Sequence, residues 1–184
     1  MKPPALETKR LVLYPAHPRL AKAASAFYTK NRAFLQPFEP ALTEEFCTVA
    51  VQKQLMRRDR ALAKADEGVR YWVFRKEDPD TAIGCVALNN IILGAFRSCF
   101  LAYKMDKDLL RQGYATEALS AAVELAFHGL NLHRIEANIM PRNAASLALA
   151  RRCGFSEEGR SPKYIRINGV WEDHIHMVRL NETE

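Results

Sequence analysis

Hydrophobic and polar positions follow two different periods along this chain, and each period predicts a different kind of element. Alternating and β-branched segments predict strands, and segments with a helical spacing of apolar residues separate them. The predicted strands are RLVLYP (10–15), VRYWVF (69–74), TAIGCVALNN (81–90), AFRSCFLAYKM (95–105) and HRIEANIM (133–140). In the fourth strand Leu101, Tyr103 and Met105 share one face, and a turn is predicted at residues 78–80, where the sequence reads DPD.

The helical pattern is clearest after residue 115. Apolar side chains recur there every three or four residues and form one stripe, at Leu119, Ala122, Val123, Ala126, Phe127 and Leu130. A later helix in NAASLALARRCGF should end at Gly154, because glycine adopts the left-handed conformation of a helix cap at little cost. Earlier helices are predicted over residues 17–30 and from Thr43 to about residue 66, with the rigid loop FLQPFEP (34–40) between them.

The C-terminal tail predicts a β-hairpin. Asn168-Gly169 lies between two alternating segments, and this dipeptide favours a two-residue hairpin turn. No internal repeat, low-complexity tract or Ser/Gly-rich linker interrupts the chain. We therefore expect a single domain over residues 1–184, of α/β (α+β) class, built around one twisted sheet.

Composition narrows the class of protein. With 48% hydrophobic and 26% charged residues, the chain has the composition of an ordinary globular protein. No run approaches the roughly 18 apolar residues of a membrane span, and the first ten residues lack the apolar core of a signal peptide. We expect a cytoplasmic protein without membrane contact. The four cysteines, none in a Cys-x-x-Cys pair, predict reduced and mostly packed thiols: Cys47, Cys85, Cys99 and Cys153.

Charge alone indicates little about the partner. The net charge of +6 and pI near 9.3 would favour contact with polyanions such as RNA or the ribosome. Basic residues are spread along the chain, and the cluster MRRDR (56–60) is interpreted as a solvated helix face. His174 and His176 share one strand face with a spacing that permits metal binding, but no third ligand is evident. No metal site is predicted.

One motif combines a helix start with unusual neighbours. In LLRQGYATEAL (109–119) a helix begins at glycine and alanine, after Arg111 and Gln112 and without an acidic cap. A helix N-terminus exposes unpaired N–H groups and a partial positive charge, which favour anions. Because Gly113 and Ala115 leave these amides open, a diphosphate fits there, with Thr116 as a further donor. The alternative is a tight turn capped by water. The P-loop and dinucleotide-binding glycine patterns are absent.

Several segments resemble one family, in the same order. FLAYKM, LLRQGYATEAL, LHRIEANIMPRNAASLALARRCGF, EEGR and INGVWEDH are similar to the GNAT N-acetyltransferases, and within them to the RimJ/RimL-like branch that acetylates N-terminal alanines of ribosomal proteins. TKRLVLYP, NRAFLQPFEP and IGCVALNNIILGAF extend the similarity to nearly the whole chain. The resemblance implies a mixed twisted sheet of about six to seven strands, flanked by about four helices.

The resemblance implies acetyl-CoA as the cosubstrate, with its diphosphate in the loop before the long helix. The residues implied to bind it are Tyr103, Lys104 and Met105 on the preceding strand, Arg111, Gln112, Gly113, Tyr114, Ala115 and Thr116 at the loop and helix start, and Asn143. Asn143 is equally expected as the N-cap of its own helix. Leu110 stands where the family usually has Gln or Arg, and Arg111 would supply that charge instead.

The same resemblance places candidate catalytic groups. Ser146 would lie near the cofactor sulfur and protonate the departing thiolate, in preference to Tyr164. Glu136 and Glu39 are candidate carboxylates for activating a water or attracting the cationic acceptor. For each carboxylate a structural ion pair is the alternative, and for Ser146 an ordinary helix hydroxyl.

The implied function is transfer of acetyl to a protein N-terminus. An α-amine has a pKa of about 8, so about a tenth is neutral at pH 7 and only a weak base is needed. The acceptor cleft is expected between residues 31–40, the following helix and the terminal hairpin. Acetylation of a small amine is the alternative, followed by a non-catalytic basic module that binds RNA or the ribosome. A transient ribosome contact and a monomer or homodimer are expected.

Overall fold

An eight-stranded mixed sheet with helices on both faces forms this protein, whose computed structural model describes residues 3–40 and 42–182. The strands are β1 (Leu6–Glu7), β2 (Leu11–Pro15), β3 (Gly68–Arg75), β4 (Asp78–Ile92), β5 (Ser98–Met105), β6 (Arg134–Ile139), β7 (Ser156–Ile167) and β8 (Val170–Leu180). The helices are α1 (Ala21–Leu35), α2 (Val49–Lys64), α3 (Tyr114–Glu124) and α4 (Ala144–Arg152). The predicted class and the four helices are therefore confirmed.

The sheet has one strand more than the expected six to seven. Its order is β1-β2-β3-β4-β5-β6-β8-β7, and β5 and β6 form its parallel pair, whereas the other neighbours are antiparallel. The additional strand is β1, whose two residues are too short to show a period in the sequence.

Two apolar cores lie on opposite faces of the sheet. Leu101 and Met105 of β5 join the core under α3 and α4, with Tyr103 packed against it, which confirms their shared face. Trp72 and Cys85 belong to the core under α1 and α2. All four cysteines are free and buried, as predicted. Among the described residues, no helix is both long and apolar enough to cross a membrane.

The stripe predicted after residue 115 is confirmed. Five of its six side chains are buried, and Leu130 packs against the same core. α3 continues as a π-helical turn over Leu125–Gly129. The later helix ends as expected, because Gly154 follows its cap with φ of +81°. The hairpin turn at Asn168-Gly169 is confirmed by the pairing of Ile167 with Val170.

The turn predicted at residues 78–80 is wrong. Arg75 pairs with Asp78, so the turn lies at residues 76–77 and β4 begins at Asp78. Pro79 falls in an irregularity of the pairing, where a strand residue without an N–H is tolerated.

Two predicted helix boundaries also differ. α1 begins at Ala21 and runs to Leu35, two residues into the predicted loop, and ends where Pro37 disfavours further helix. α2 begins at Val49 rather than Thr43, because Thr48 is its N-cap and accepts a hydrogen bond from the Val51 amide at 3.4 Å. The Thr43 hydroxyl instead accepts a hydrogen bond from the Phe46 amide at 3.1 Å, in a single turn at Glu45–Cys47. Both threonines are suitable caps, so the sequence alone does not distinguish them.

The parallel strands β5 and β6 separate partway along their length. Their pairing covers Ser98–Arg134, Cys99–Ile135 and Phe100–Glu136 and then stops. Beyond that point β5 stays paired with β4, and β6 stays paired with β8. A wedge-shaped gap therefore opens in the sheet, closed at Phe100 and Glu136.

Candidate functional site

The loop before α3 presents open backbone amides. Arg111 and Gly113 both adopt left-handed conformations, with φ of +61° and +81°. Gly113 is the N-cap of α3 and has no side chain with which to cap it. The amides of Tyr114, Ala115 and Thr116 open the helix and so have no acceptor within it. Since successive amides around left-handed residues form an anion-binding concavity, this loop fits a diphosphate.

The gap between β5 and β6 leads to this loop. Tyr103, Lys104 and Met105 line it on the β5 side, and no strand in the described part of the chain pairs with β5 along that edge. Unpaired N–H and C=O groups on a strand edge bind an extended ligand that carries amides. The edge runs from the closed end of the gap toward the loop at Gly113, so one extended ligand can occupy both.

Two hydroxyl groups meet on the α4 side of the gap. Ser146 Oγ lies 2.8 Å from Tyr103 Oη, and Tyr103 donates to the Ser146 carbonyl oxygen at 3.0 Å. Burial raises the pKa of Tyr103 to about 12, so its hydroxyl stays protonated at neutral pH. Asn143 accepts a hydrogen bond from the Ser146 amide at 3.2 Å, which confirms its capping role. Its contact with a cofactor stays a prediction.

A carboxylate network lies on the opposite face, at the closed end of the gap. Glu136 Oε2 accepts a hydrogen bond from the Arg134 guanidinium at 2.7 Å, and Glu136 Oε1 lies 2.9 Å from Nδ1 of His176. The other ring nitrogen of His176 lies 2.7 Å from Ser161 Oγ. Burial alone would raise the pKa of Glu136, but the hydrogen bonds from Arg134 and His176 outweigh it and lower the pKa. Glu136 therefore stays ionised.

Glu39 is also held in an ion pair. Its Oε1 lies 2.8 Å from Lys104 Nζ, and the Lys104 side chain is only 10% exposed. The ammonium lies 5.5 Å from the centre of the Tyr28 ring. Burial would lower the pKa of Lys104, but the interactions with Tyr28 and Glu39 raise it, so the charge persists. Lys104 thus lines the gap with its backbone and anchors Glu39 with its side chain.

The structure brings the predicted residues together in two groups. The loop at Gly113, the β5 edge, Asn143 and Ser146 form one group around the gap, on the side of α3 and α4. Glu39 and Glu136 lie on the other face, and the ion-pair alternative is confirmed for both. Whether either carboxylate also acts in catalysis stays a prediction.

Three residues near the site were missed by sequence reasoning. Arg10 and Glu117 form an ion pair beside the loop at Gly113, and His176 contacts Glu136. In the sequence, His176 was noted only because it shares a strand face with His174. No local sequence pattern links Arg10 to Glu117 or His176 to Glu136. His174 is buried, with Nδ1 at 3.1 Å from the Glu172 carbonyl oxygen. Among residues 3–40 and 42–182, no cluster of His, Cys, Asp and Glu could hold a metal ion.

A cavity of about 550 Å³ lies away from the gap, between α2 and the ends of β3 and β4. Its lining contains none of the predicted site residues. Two of its charged groups, Asp59 and Arg70, pair with each other at 3.1 Å. The cavity therefore offers no group for the chemistry of the gap.

Comparison with known proteins agrees with the observed fold. Residues 10–156 match the family model of an acetyltransferase (GNAT) domain. The chain is 34% identical over 172 residues to the ribosomal protein uS5-alanine N-acetyltransferase of Escherichia coli, covering 92% of this chain and 87% of that protein.

Two solved structures share the fold over nearly the full length. The ribosomal-protein-S5-alanine acetyltransferase from Vibrio fischeri matches with a TM-score of 0.92 at 29% identity, covering 98% of each chain. Mycobacterium smegmatis RimJ in complex with CoA-disulfide matches with a TM-score of 0.89 at 26% identity, covering 97% of this chain and 87% of that one.

Proposed function

This chain belongs to the GNAT acetyltransferase family and is an N-acetyltransferase, and from that premise we propose that it uses acetyl-CoA to acetylate the N-terminal α-amine of a protein. The observation that carries the proposal is the uncapped start of α3 at left-handed Gly113, in line with the unpaired edge of β5. A diphosphate fits the first feature and an extended amide-containing arm fits the second.

Acetyl-CoA supplies the activated acetyl thioester, and the protein binds and orients it. The amides of Tyr114, Ala115 and Thr116 would hold the diphosphate, with Arg111 as an exposed cation beside them. The β5 edge would align the arm toward the closed end of the gap. Along that edge the hydroxyl groups of Ser146 and Tyr103 lie on the α4 side, suited to protonate a departing thiolate.

The acceptor amine would approach from the opposite face. Glu136 lies there as an ionised carboxylate, next to the point where β5 and β6 separate. Its lowered pKa makes it a weak base, which suits an α-amine that is already about one-tenth neutral at pH 7. A lysine side chain, with a pKa near 10.4, would require a much stronger base. The site therefore favours an N-terminal amine.

The similarity to uS5-alanine N-acetyltransferases supports a ribosomal protein as the acceptor. The net charge of +6 is compatible with a transient contact with the ribosome. A cytoplasmic location and a monomeric or homodimeric state complete the proposal.

The proposal is tested by the choice of acceptor. Peptides beginning with Ala, Ser, Met or Thr should be acetylated, whereas a panel of amino acids, polyamines and antibiotic amines should react far more slowly. The release of free thiol reports the consumption of acetyl-CoA, so one assay measures the rates for the peptides and for the small amines. Faster reaction of a small amine than of every peptide would overturn the proposed acceptor class. No stabilisation of the protein by saturating acetyl-CoA would overturn the use of that cofactor.

Replacing Ser146 with alanine should lower kcat by about 100-fold, because the departing thiolate loses its proton donor. The KM for acetyl-CoA should stay close to that of the wild type, since the diphosphate contacts lie in the loop at Gly113. Initial rates at varied acetyl-CoA give both constants. Ser120→Ala, at an exposed serine of α3, is the matched control and should change neither constant. An unchanged kcat for Ser146→Ala would remove the assigned acid.

A further inference from the structure

The turn between β1 and β2 docks onto the first turn of α3 through one carboxylate. Thr8 Oγ1 and the Arg10 amide donate to Oε1 of Glu117, at 2.6 and 2.7 Å. Arg10 Nε donates to Oε2 at 2.7 Å. Burial alone would raise the pKa of Glu117, but these hydrogen bonds outweigh it and lower the pKa. Glu117 is therefore an ionised carboxylate with both oxygens bound.

The same guanidinium lies beside the loop at Gly113, where it contacts Gln112 and Tyr114. Its Nη1 donates a hydrogen bond to the Gln112 carbonyl oxygen at 2.9 Å. A Cβ atom added at Gly113 would lie 3.2 Å from its Nη2. Its central carbon lies 4.3 Å from the centre of the Tyr114 ring, a distance typical of cation–π contact. Arg10 thus joins β2, the loop and α3 at one point.

The conformation of the loop requires such support. Arg111 has a φ of +61°, which is unfavourable for a residue other than glycine unless its surroundings hold it there. The bond from Arg10 ties down the Gln112 carbonyl, between the two left-handed residues. With this carbonyl held by Arg10, the amides that follow it remain available to a ligand.

Charge gives a second reason. Glu117 lies in the first turn of α3, where an unpaired carboxylate would repel a bound diphosphate. Arg10 pairs with that carboxylate and compensates its charge beside the amides of the helix start. The pair therefore combines a geometric and an electrostatic effect at the same loop.

We propose that Arg10 and Glu117 are positioning residues that hold the loop at Gly113 in the shape that receives the diphosphate of acetyl-CoA. This inference rests on the proposed function, and it concerns residues that act through the loop. A purely structural ion pair would instead stabilise the fold without a specific effect on the cofactor.

The test is calorimetric titration of the full-length protein with coenzyme A, together with steady-state kinetics. Arg10→Ala should weaken binding by about 10- to 100-fold, because the loop amides are misplaced. The larger change should fall in the KM for acetyl-CoA rather than in kcat. Arg10→Lys keeps the positive charge but lacks the planar guanidinium with its several donors, so we expect it to retain part of the affinity that Arg10→Ala loses. The double variant Arg10→Ala/Glu117→Ala should lose less binding free energy for coenzyme A than the sum of the losses of the two single variants.

The matched control is Arg160→Ala, which removes the ion pair between Arg160 and Asp173 at 2.6 Å on the β7–β8 hairpin. Its affinity for coenzyme A should equal that of the wild type. Equal affinity of the wild type, Arg10→Ala and Arg10→Lys would overturn the positioning role, even if Arg10→Ala lowered the melting temperature. Failure of the wild type to bind coenzyme A would overturn the proposed function itself. This outcome differs from failure of the positioning role, because it is seen in the wild type before any substitution.

Discussion

Replacing Gly113 with glutamate is expected to abolish measurable binding of acetyl-CoA. The φ of +81° is unfavourable for any side chain, and the added Cβ would lie 3.2 Å from the Arg10 guanidinium. The new carboxylate would stand at the mouth of the loop and repel the diphosphate. At about 4 Å and an effective dielectric constant near 20, that repulsion is about 4 kcal/mol, so we expect a loss of affinity of at least about 100-fold.

The measurement is the rise in melting temperature caused by saturating acetyl-CoA, which should disappear in Gly113→Glu. Gly94→Glu is the matched control, because Gly94 is also left-handed, with φ of +71°, and no atom lies within 4 Å of its added Cβ. It introduces the same charge and a comparable strain in the turn between β4 and β5. A full thermal response in Gly113→Glu would show that the diphosphate binds elsewhere.

Replacing Glu39 with alanine is expected to produce the largest loss of stability among these variants. The Lys104 ammonium is only 10% exposed and its charge persists, so removal of Glu39 leaves a nearly buried cation without its partner. Breaking such a pair costs about 3 kcal/mol. For a chain of this length, that corresponds to a fall in melting temperature of roughly 10 °C.

A second substitution separates stability from catalysis. Lys104→Met in the Glu39→Ala background removes the stranded charge, and we expect it to restore most of the melting temperature and, with it, turnover. Thermal unfolding and initial rates on the same samples measure the two properties. A double variant that is stable but inactive would contradict this expectation and would favour a direct catalytic role for Glu39.

Much of the loop at Gly113 could be predicted from the sequence because its signals are local. A glycine before an alanine, a following apolar stripe and the absence of an acidic cap all lie within residues 109–130. The structure places the helix start at Tyr114, between the glycine and alanine at which it was predicted, and shows Gly113 in the left-handed conformation. Arg111 in the left-handed region was not predicted, because no short pattern requires a non-glycine residue to adopt it.

The catalytic side was less predictable. Glu136 and Glu39 were selected as carboxylates, but their partners were unknown from the sequence. Their ion pairs with Arg134 and Lys104 determine how much of each carboxylate's negative charge is left to act on a substrate. Sequence patterns show which residues share a face of one element, and they do not show which residue of another element faces them.

The sequence by itself determined most of the elements, since apolar spacing, the Asn-Gly turn and glycine caps act over a few residues, but it missed β1 and misplaced the turn before β4. Local signals of this kind determined the apolar stripe of α3, the hairpin at Asn168-Gly169 and the start of α3 without an acidic cap. Only the tertiary structure decided that Arg10 reaches Glu117, 107 positions away, and that Tyr103 meets Ser146, 43 positions away. It also decided that β5 leaves β6 after Phe100, because strand pairing and helix docking depend on the packing of the whole sheet.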